Sequence, residues 1–404
     1  METLRQTSLS RRTRVTIPLA GALSISVIAI AIPGAVLGAQ GDNDIVIGVI
    51  ERTTPAVVTI QVPPGSFAGF GGVLPGDLEL PEDSENPEDV EFPEGFELPE
   101  GLESPELLPI PQGFGFGGSG SGVIVSTDGL IITNGHVVGE ATDVTVILDD
   151  GTVLDGVVTG VDTLTDFAFV DVEAEDLPAV TLGDSSGIRV GQLAISIGNP
   201  LGRFPSSAAA GIVSGLDRSI DVFGSSRGGN RLDHLIQTDA AINSGSSGGA
   251  LFDGDGELIG ITTAEAGIND GIGFALPIDL AKPIIEQAQA GEAISRPYVG
   301  VVYREIDAQV AEEESLPVTS GAWIGGSTDD PSPVVEGSPA DEAGLQPGDI
   351  ISAVDGVAVD RANPLDLQVL RFAPDEQITL AVLREGESIE LLVTLGTRPA
   401  DLNR

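Results

Sequence analysis

Between residues 118 and 277, apolar and polar positions alternate in short runs that end at turn-forming dipeptides, the pattern of half-buried antiparallel strands. Runs at 121–125 and 130–133 flank Thr127-Asp128-Gly129, and runs at 144–148 and 153–161 flank Asp149-Asp150-Gly151. The Asp-Gly step favours the left-handed backbone of a tight hairpin, so both pairs are predicted hairpins. Further strands are predicted at 167–172, 192–197, 209–216, 234–238, 250–252 and 257–262, the last two joined through Asp253-Gly254-Asp255-Gly256. Many short strands with frequent turns describe an all-β body of barrel or sandwich type. A helix at 279–290, closed by Gly291, ends it.

The pattern changes on both sides of this body. Residues 44–62 read as a short helix or strand followed by the β-branched run Ala56-Val57-Val58-Thr59-Ile60. Residues 63–118 then become rich in Pro, Gly and Glu, with pieces such as Phe92-Pro93-Glu94-Gly95-Phe96, and can build no core. They read as a solvated insertion. Downstream, a separate unit begins at Pro297-Tyr298-Val299-Gly300-Val301. It has a short helix in Ser338-Pro339-Ala340-Asp341-Glu342, a strand at 350–354, a helix at 365–372, and a terminal hairpin of 378–383 with 389–395 across Glu385-Gly386.

At the N-terminus, Arg5, Arg11, Arg12 and Arg14 precede an apolar run over residues 15–39. A positive start followed by a hydrophobic stretch is the layout of an export signal, with Ala39 as the cleavage point. The run also meets the roughly 20 residues needed to span a bilayer, so an uncleaved membrane anchor with its arginines inside is the alternative. Either way the body lies outside the cytoplasm.

Length and composition narrow the function classes. A chain of 404 residues calls for two to three domains. The formal net charge is −44, with Lys282 the single lysine, so a phosphate backbone would be repelled and nucleic-acid binding is not expected. The insertion carries thirteen carboxylates between residues 77 and 106, but the 49 acidic residues elsewhere still face only 18 basic ones. The acidity is global, and fits either a saline medium that screens the repulsion or simple solubility. With no cysteine and two histidines, neither a metal site nor a cofactor is expected.

The chemistry-bearing motif is Gly245-Ser246-Ser247-Gly248-Gly249. A serine hydroxyl is a poor nucleophile at neutral pH; it needs a base, a group that orients the base, and N–H donors for the oxyanion. Glycines let the backbone turn those donors inward. The same spacing fits the elbow of α/β-hydrolases, but that fold places its histidine after the serine, whereas His136 and His234 both precede Ser247. The order histidine, aspartate, serine remains. His136 directly follows the strand at 130–133, and Asp166 opens the apolar strand at 167–172, with Asp162 as its competitor for the carboxylate. His234 is assigned to structure or surface.

The segments Thr54-Pro55-Ala56-Val57-Val58, Thr133-Asn134-Gly135-His136-Val137-Val138, Thr165-Asp166-Phe167-Ala168, Ile197-Gly198-Asn199-Pro200, Gln237-Thr238-Asp239-Ala240-Ala241-Ile242-Asn243-Ser244-Gly245-Ser246-Ser247-Gly248-Gly249 and Gly271-Ile272-Gly273-Phe274-Ala275 stand in one order. Together they resemble the HtrA (Do-like, Deg) family of serine endoproteases over nearly everything after the export segment. The resemblance implies an all-β chain: a trypsin-like double β-barrel over 41–291 with the acidic insertion at 63–118, then a PDZ domain over 296–398, a β-sandwich with two short helices. It implies His136, Asp166 and Ser247 as the triad, and an oxyanion hole from the backbone at Gly245, Ser246 and Ser247. Ile242, Ala264, Glu265, Ile272 and Gly273 would line the specificity pocket, and residues 216–232 would form a regulatory loop. Tyr298, Val299, Gly300 and Val301 would be the carboxylate-binding loop of the PDZ groove, which takes peptide C-termini by strand addition. It further implies unfolded or misfolded protein substrates, a homotrimer or a multiple of it, no cofactor, and a place in the bacterial cell envelope. A non-cleaving exported chaperone or scaffold of the same fold is the alternative. Ser246, Ala250 and Glu265 depart from the residues most frequent in the family at those positions.

Overall fold

The structure is a computed structural model, which describes residues 37–63, 118–198, 207–222, 230–243, 245–265, 271–326 and 332–399. Residues 1–36, and with them most of the predicted export segment, lie outside that set, as does nearly all of the acidic insertion. Among the described residues no helix is long and apolar enough to cross a membrane.

Helix α1, Leu37–Thr53, occupies the stretch expected as helix or strand, and it contains Ala39. Arg52 caps a distant turn by donating to the Asp255 carbonyl at 3.2 Å. Strands β1 (Val57–Gln61), β2 (Ser119–Ile124), β3 (Leu130–Asn134), β4 (Asp143–Ile147), β5 (Val153–Asp162) and β6 (Phe167–Val172) close into a barrel in the order β1-β2-β3-β6-β5-β4. A one-turn helix, α2 (Gly135–Val138), follows β3. Strands β7 (Leu193–Gly198), β8 (Ser207–Val222), β9 (Asn230–Thr238), β10 (Ala250–Phe252), β11 (Leu258–Glu265) and β12 (Gly273–Pro277) close a second barrel in the order β10-β11-β12-β9-β8-β7.

Strand alternation assigns the two faces different work. Ile131, Ala168 and Val170 join Ile60 and Val146 in the cluster of the first barrel, and Ala194, Leu251, Ile259 and Ala275 join in that of the second. The residues between them, Leu130, Ile132, Phe167, Phe169, Ile195, Ile197, Phe252 and Ile261, form a third cluster that draws on both barrels. Strands buried on both faces read as continuous apolar runs, as 130–133 and 167–170 do. Burying a side chain such as Phe169 contributes about 3 kcal/mol, so the seam between the barrels is a hydrophobic core in its own right.

Two elements differ from expectation. Strands β8 and β9 run well past the predicted 209–216 and 234–238, so much of the expected loop at 216–232 is a hairpin arm; residues 223–229 lie outside the described residues. Asp217, Arg218 and Asp221 interrupt the apolar alternation there, and irregular pairing near Arg218 accommodates them. The helix predicted at 279–290 is a 3-10 turn, Ile278–Leu280, followed by α3 (Lys282–Gln289), with Pro283 in its first turn.

The C-terminal unit pairs β13 (Pro297–Tyr298) with the final strand β20 (Gly396–Thr397). Its main sheet contains β14 (Tyr303–Ile306), β15 (Gly321–Ile324), β16 (Ile350–Val354), β17 (Val357–Ala358), β18 (Gln377–Arg384) and β19 (Glu387–Thr394) in the order β14-β15-β16-β18-β19, with β17 beside β16. Three short helices accompany it where two were expected: α4 (Ala308–Glu313), α5 (Pro339–Glu342) and α6 (Leu365–Val369). Ser338 caps α5 and Asp307 caps α4, each side chain accepting from an N–H of the first turn.

Candidate active site

His136 sits on α2, immediately after β3, and Asp166 immediately precedes β6, the partner of β3. The antiparallel pairing of Asn134 with Phe167 brings the two side chains to one end of the first barrel. Asp166 holds His136 twice: Oδ1 accepts the His136 backbone N–H at 2.9 Å and Oδ2 lies 2.6 Å from ring Nδ1. A carboxylate in that position keeps the proton on Nδ1 and leaves Nε2 as the basic nitrogen. The side chains are 10% and 15% exposed. Asp166 adopts a left-handed φ of +60°, and its carbonyl is held by the Gly135 N–H at 2.8 Å and the Asn134 amide at 3.2 Å. Asp162, the competing carboxylate, is turned away into a buried ion pair with Arg296.

Ser247 belongs to the second barrel, but its loop is gripped by the first. The Ser121 N–H donates to the Ser247 carbonyl at 2.8 Å, and the Ser121 hydroxyl to the Gly245 carbonyl at 2.9 Å. Gly248 shows why glycine is needed: at φ +83°, an added Cβ would stand 2.1 Å from the Ser121 carbonyl oxygen and 2.2 Å from Thr133 Oγ1. From the other side, the Gly248 N–H donates to the Thr262 carbonyl at 2.8 Å and the Thr262 hydroxyl to the Ser246 carbonyl at 2.6 Å. The Ser246 N–H donates to Asn243 at 2.8 Å, so of the three residues expected at the oxyanion hole this one has its donor engaged within the loop.

Thr263, which carries no sequence motif, links the two halves. Between Thr262, paired with Ala275, and Ala264, paired with Phe274, strand β11 has one extra residue. Such a bulge redirects a side chain and its carbonyl. The Thr263 carbonyl accepts the Ser247 hydroxyl at 2.8 Å, and its hydroxyl donates to Asp166 Oδ2 at 3.3 Å. The single Ser247 proton is therefore aimed at Thr263, and it must be redirected before His136 can take it.

Of the expected pocket residues, Ile242 is buried and packs against Gly273, where an added Cβ would approach Ile242 Cδ1 to 2.6 Å. Gly273 pairs with Glu265 across β11 and β12, and Ile272 packs against the inter-barrel cluster. The side chains of Ala264 and Glu265 lie outside the described residues. In the C-terminal unit, Gly300 has φ +88° and an added Cβ would meet Ser338 at 2.3 Å. The carbonyls of Val299 and Gly300 accept the N–H groups of Ala340 and Val335, so the 298–301 loop is tied to the start of α5. Residues 327–331, which include the Asp329-Asp330-Pro331 stretch, lie outside the described residues.

His234, on β9, also at a left-handed φ of +63°, bonds Asp217 through Nδ1 at 2.9 Å and Asp366 on α6 through Nε2 at 3.2 Å. Its burial alone would lower its affinity for a proton, but the hydrogen bonds and charges of Asp217 and Asp366 outweigh that and push its pKa up to about 9. Burial also pushes the Glu305 carboxyl up, reinforced by the charges of Asp366 and Asp217. Among the described residues no group of three His, Asp or Glu side chains is placed to hold a metal ion.

A family model described as a trypsin-like peptidase domain matches residues 120–261, and one described as a PDZ domain matches residues 332–384. A probable periplasmic serine endoprotease, DegP-like, of Pseudomonas fulva is 35% identical over 365 residues, 87% of this chain and 70% of that protein. The chain belongs to the HtrA (DegP-like) serine endoprotease family. A second DegP-like relative, of Hahella chejuensis, is 38% identical over 288 residues, which cover 70% of this chain and 58% of that protein, so the chain spans little more than half of that HtrA relative. Among solved structures, the HtrA-type protease AlgW with tripeptide superposes with a TM-score of 0.58 at 30% identity, covering 88% of this chain and 97% of that one. The double barrel with its PDZ domain is thus the fold of the HtrA family.

Proposed function

We propose that this HtrA-family chain is an exported, ATP-independent serine endopeptidase of protein quality control that cleaves unfolded or misfolded proteins through an acyl-enzyme. Ser247 Oγ attacks the scissile carbonyl carbon while His136 Nε2 takes the hydroxyl proton. The oxyanion is held by the N–H groups of Gly245 and Ser247. Collapse breaks the C–N bond and passes the proton from Nε2 to the leaving amine. Water, deprotonated by the same nitrogen, then hydrolyses the Ser247 ester. Asp166 stabilises the imidazolium in both halves.

The observation that supports this reading best is the two-point hold of Asp166 on His136, next to a serine whose loop is clamped by both barrels. A protein that only bound peptides would have no use for a backbone N–H and a ring nitrogen fixed by one carboxylate. On this reading residues 41–291 are the protease domain, Ile242, Ala264, Glu265, Ile272 and Gly273 shape its specificity pocket, and residues 296–398 are a PDZ domain whose 298–301 loop receives peptide C-termini. Residues 1–40 export or anchor the chain in the cell envelope, and homotrimers or their multiples assemble there, as the family resemblance implies.

Digestion of casein by the purified protein tests the proposal. Proteolysis should fall by about 10⁴-fold or more in Ser247→Ala. Equal residual cleavage in both proteins would refute it and leave the non-cleaving chaperone as the better reading.

A further inference from the structure

Arg296 lies just ahead of β13, 3% exposed. Its Nε donates to Asp162 Oδ2 at 2.8 Å, one terminal nitrogen to the Leu280 carbonyl at 2.6 Å, and the other to Thr165 Oγ1 at 2.6 Å. Asp162 in turn accepts the Leu164 N–H at 3.1 Å and the Thr165 hydroxyl. The guanidinium therefore fixes Asp162 and Thr165, the first residue of the turn and the one that immediately precedes Asp166. Among the described ion pairs, Arg296 with Asp162 is the one whose two side chains are both below 5% exposed.

Two buried charges are costly to desolvate, and a well-packed apolar pair in the same space is often as stable or more so. Stability alone is thus a weak reason for this pair. Geometry supplies a better one. Asp166 directly follows Thr165 and sits at φ +60°, a conformation that a non-glycine residue keeps only when its surroundings impose it. Downstream, the Asp166 carbonyl is restrained by Gly135 and Asn134; upstream, the restraint comes from Thr165 and Asp162, and both are held by Arg296.

We infer that Arg296 is a positioning residue for the hydrolytic reaction: through Asp162 and Thr165 it holds the 162–166 turn in the one shape that directs the Asp166 carboxylate onto His136. The inference rests on the triad reading above. It assigns a role to a residue outside the protease motifs, contributed by the segment that opens the C-terminal unit.

Three variants test it: Arg296→Lys, which keeps the charge but cannot reach three acceptors at once; Thr165→Val, which breaks the hydroxyl link and leaves no charge unpaired; and Asp166→Ala. Steady-state hydrolysis of a fluorogenic peptide is measured from pH 5 to 9, with thermal melting to report the folded fraction. Arg296→Lys and Thr165→Val should each lower kcat at least tenfold with KM within about twofold. The acid limb of their kcat/KM profiles should move to lower pH, because a displaced carboxylate supports the protonated base less well. A loss equal to the loss of folded protein, with the acid limb unmoved, would overturn the inference, as would full activity in both variants. If Arg296→Lys does not fold, Thr165→Val decides. An Asp166→Ala protein with the parent rate would instead overturn the triad reading itself, and this inference with it.

Discussion

A hydroxyl has one proton to give, and that of Ser247 goes to the Thr263 carbonyl. Thr263 also touches Asp166, so this one residue restrains both the nucleophile and the orienting carboxylate. Thr263→Val keeps the carbonyl and the side-chain shape but removes the hydroxyl. It should lower kcat about fivefold, the worth of one weak hydrogen bond near 1 kcal/mol, and leave KM unchanged. Gly248→Ala should act more severely. Its Cβ would collide with backbone in a left-handed conformation, which costs about 2–4 kcal/mol of stability in urea denaturation. Displacing the loop should also cost about a hundredfold in kcat, the usual loss when an oxyanion donor moves. The proximity of His136 and Asp166 was legible from their motifs. The choice of Asp166 over Asp162 came from the family resemblance and not from the residues alone, because its physical basis is Arg296, which lies 134 positions from Asp162. Thr263 carried no signal at all, since a bulge contact depends on register and leaves no mark in the apolar pattern.

At the level of elements, the turn chemistry located the strands well where Asp-Gly steps punctuate them, as between β2 and β3 and between β4 and β5. The shortfall came in β8 and β9. Their outer halves carry Asp217, Arg218, Asp221, Arg231 and Asp233, and a hairpin arm exposed to solvent need not alternate apolar and polar residues. There the pairing is set by backbone hydrogen bonds and by contacts such as Arg218 Nε to Gln237 Oε1 at 3.0 Å, which no periodicity encodes. Helix α6 likewise ends at Val369, short of the predicted 372, because its apolar residues continue into the core beyond the last helical turn.

On the scale of the whole molecule, the β8–β9 hairpin meets the C-terminal unit through His234. Both ring nitrogens face carboxylates, which suits the doubly protonated imidazolium. Glu305, Tyr303 and Arg361 surround the Asp366 side of the contact, and Asp279 and Arg371 line a cavity of about 60 Å³ beside it. The folded-state pKa of His234, about 9, is raised above its ordinary 6.5. The stabilisation is therefore complete below about 6.5 and disappears as the pH rises through about 9; its size is about 3 kcal/mol. The parent protein should lose thermal stability between pH 7 and pH 10, and His234→Gln should lack that part of the slope. A common slope in both would show that the bridge contributes nothing to docking of the two units.

The nucleophile loop depends on Ser121 and Thr133 from the first barrel and on Thr262 from the second. During synthesis the N-terminal half emerges first, carrying His136 and Asp166 but neither the serine nor Arg296, which holds the turn ahead of Asp166. The serine acquires its shape only once β11 is made and both barrels have closed around it. A partly synthesised chain therefore lacks a shaped nucleophile loop, and hydrolytic power begins only when both barrels are complete.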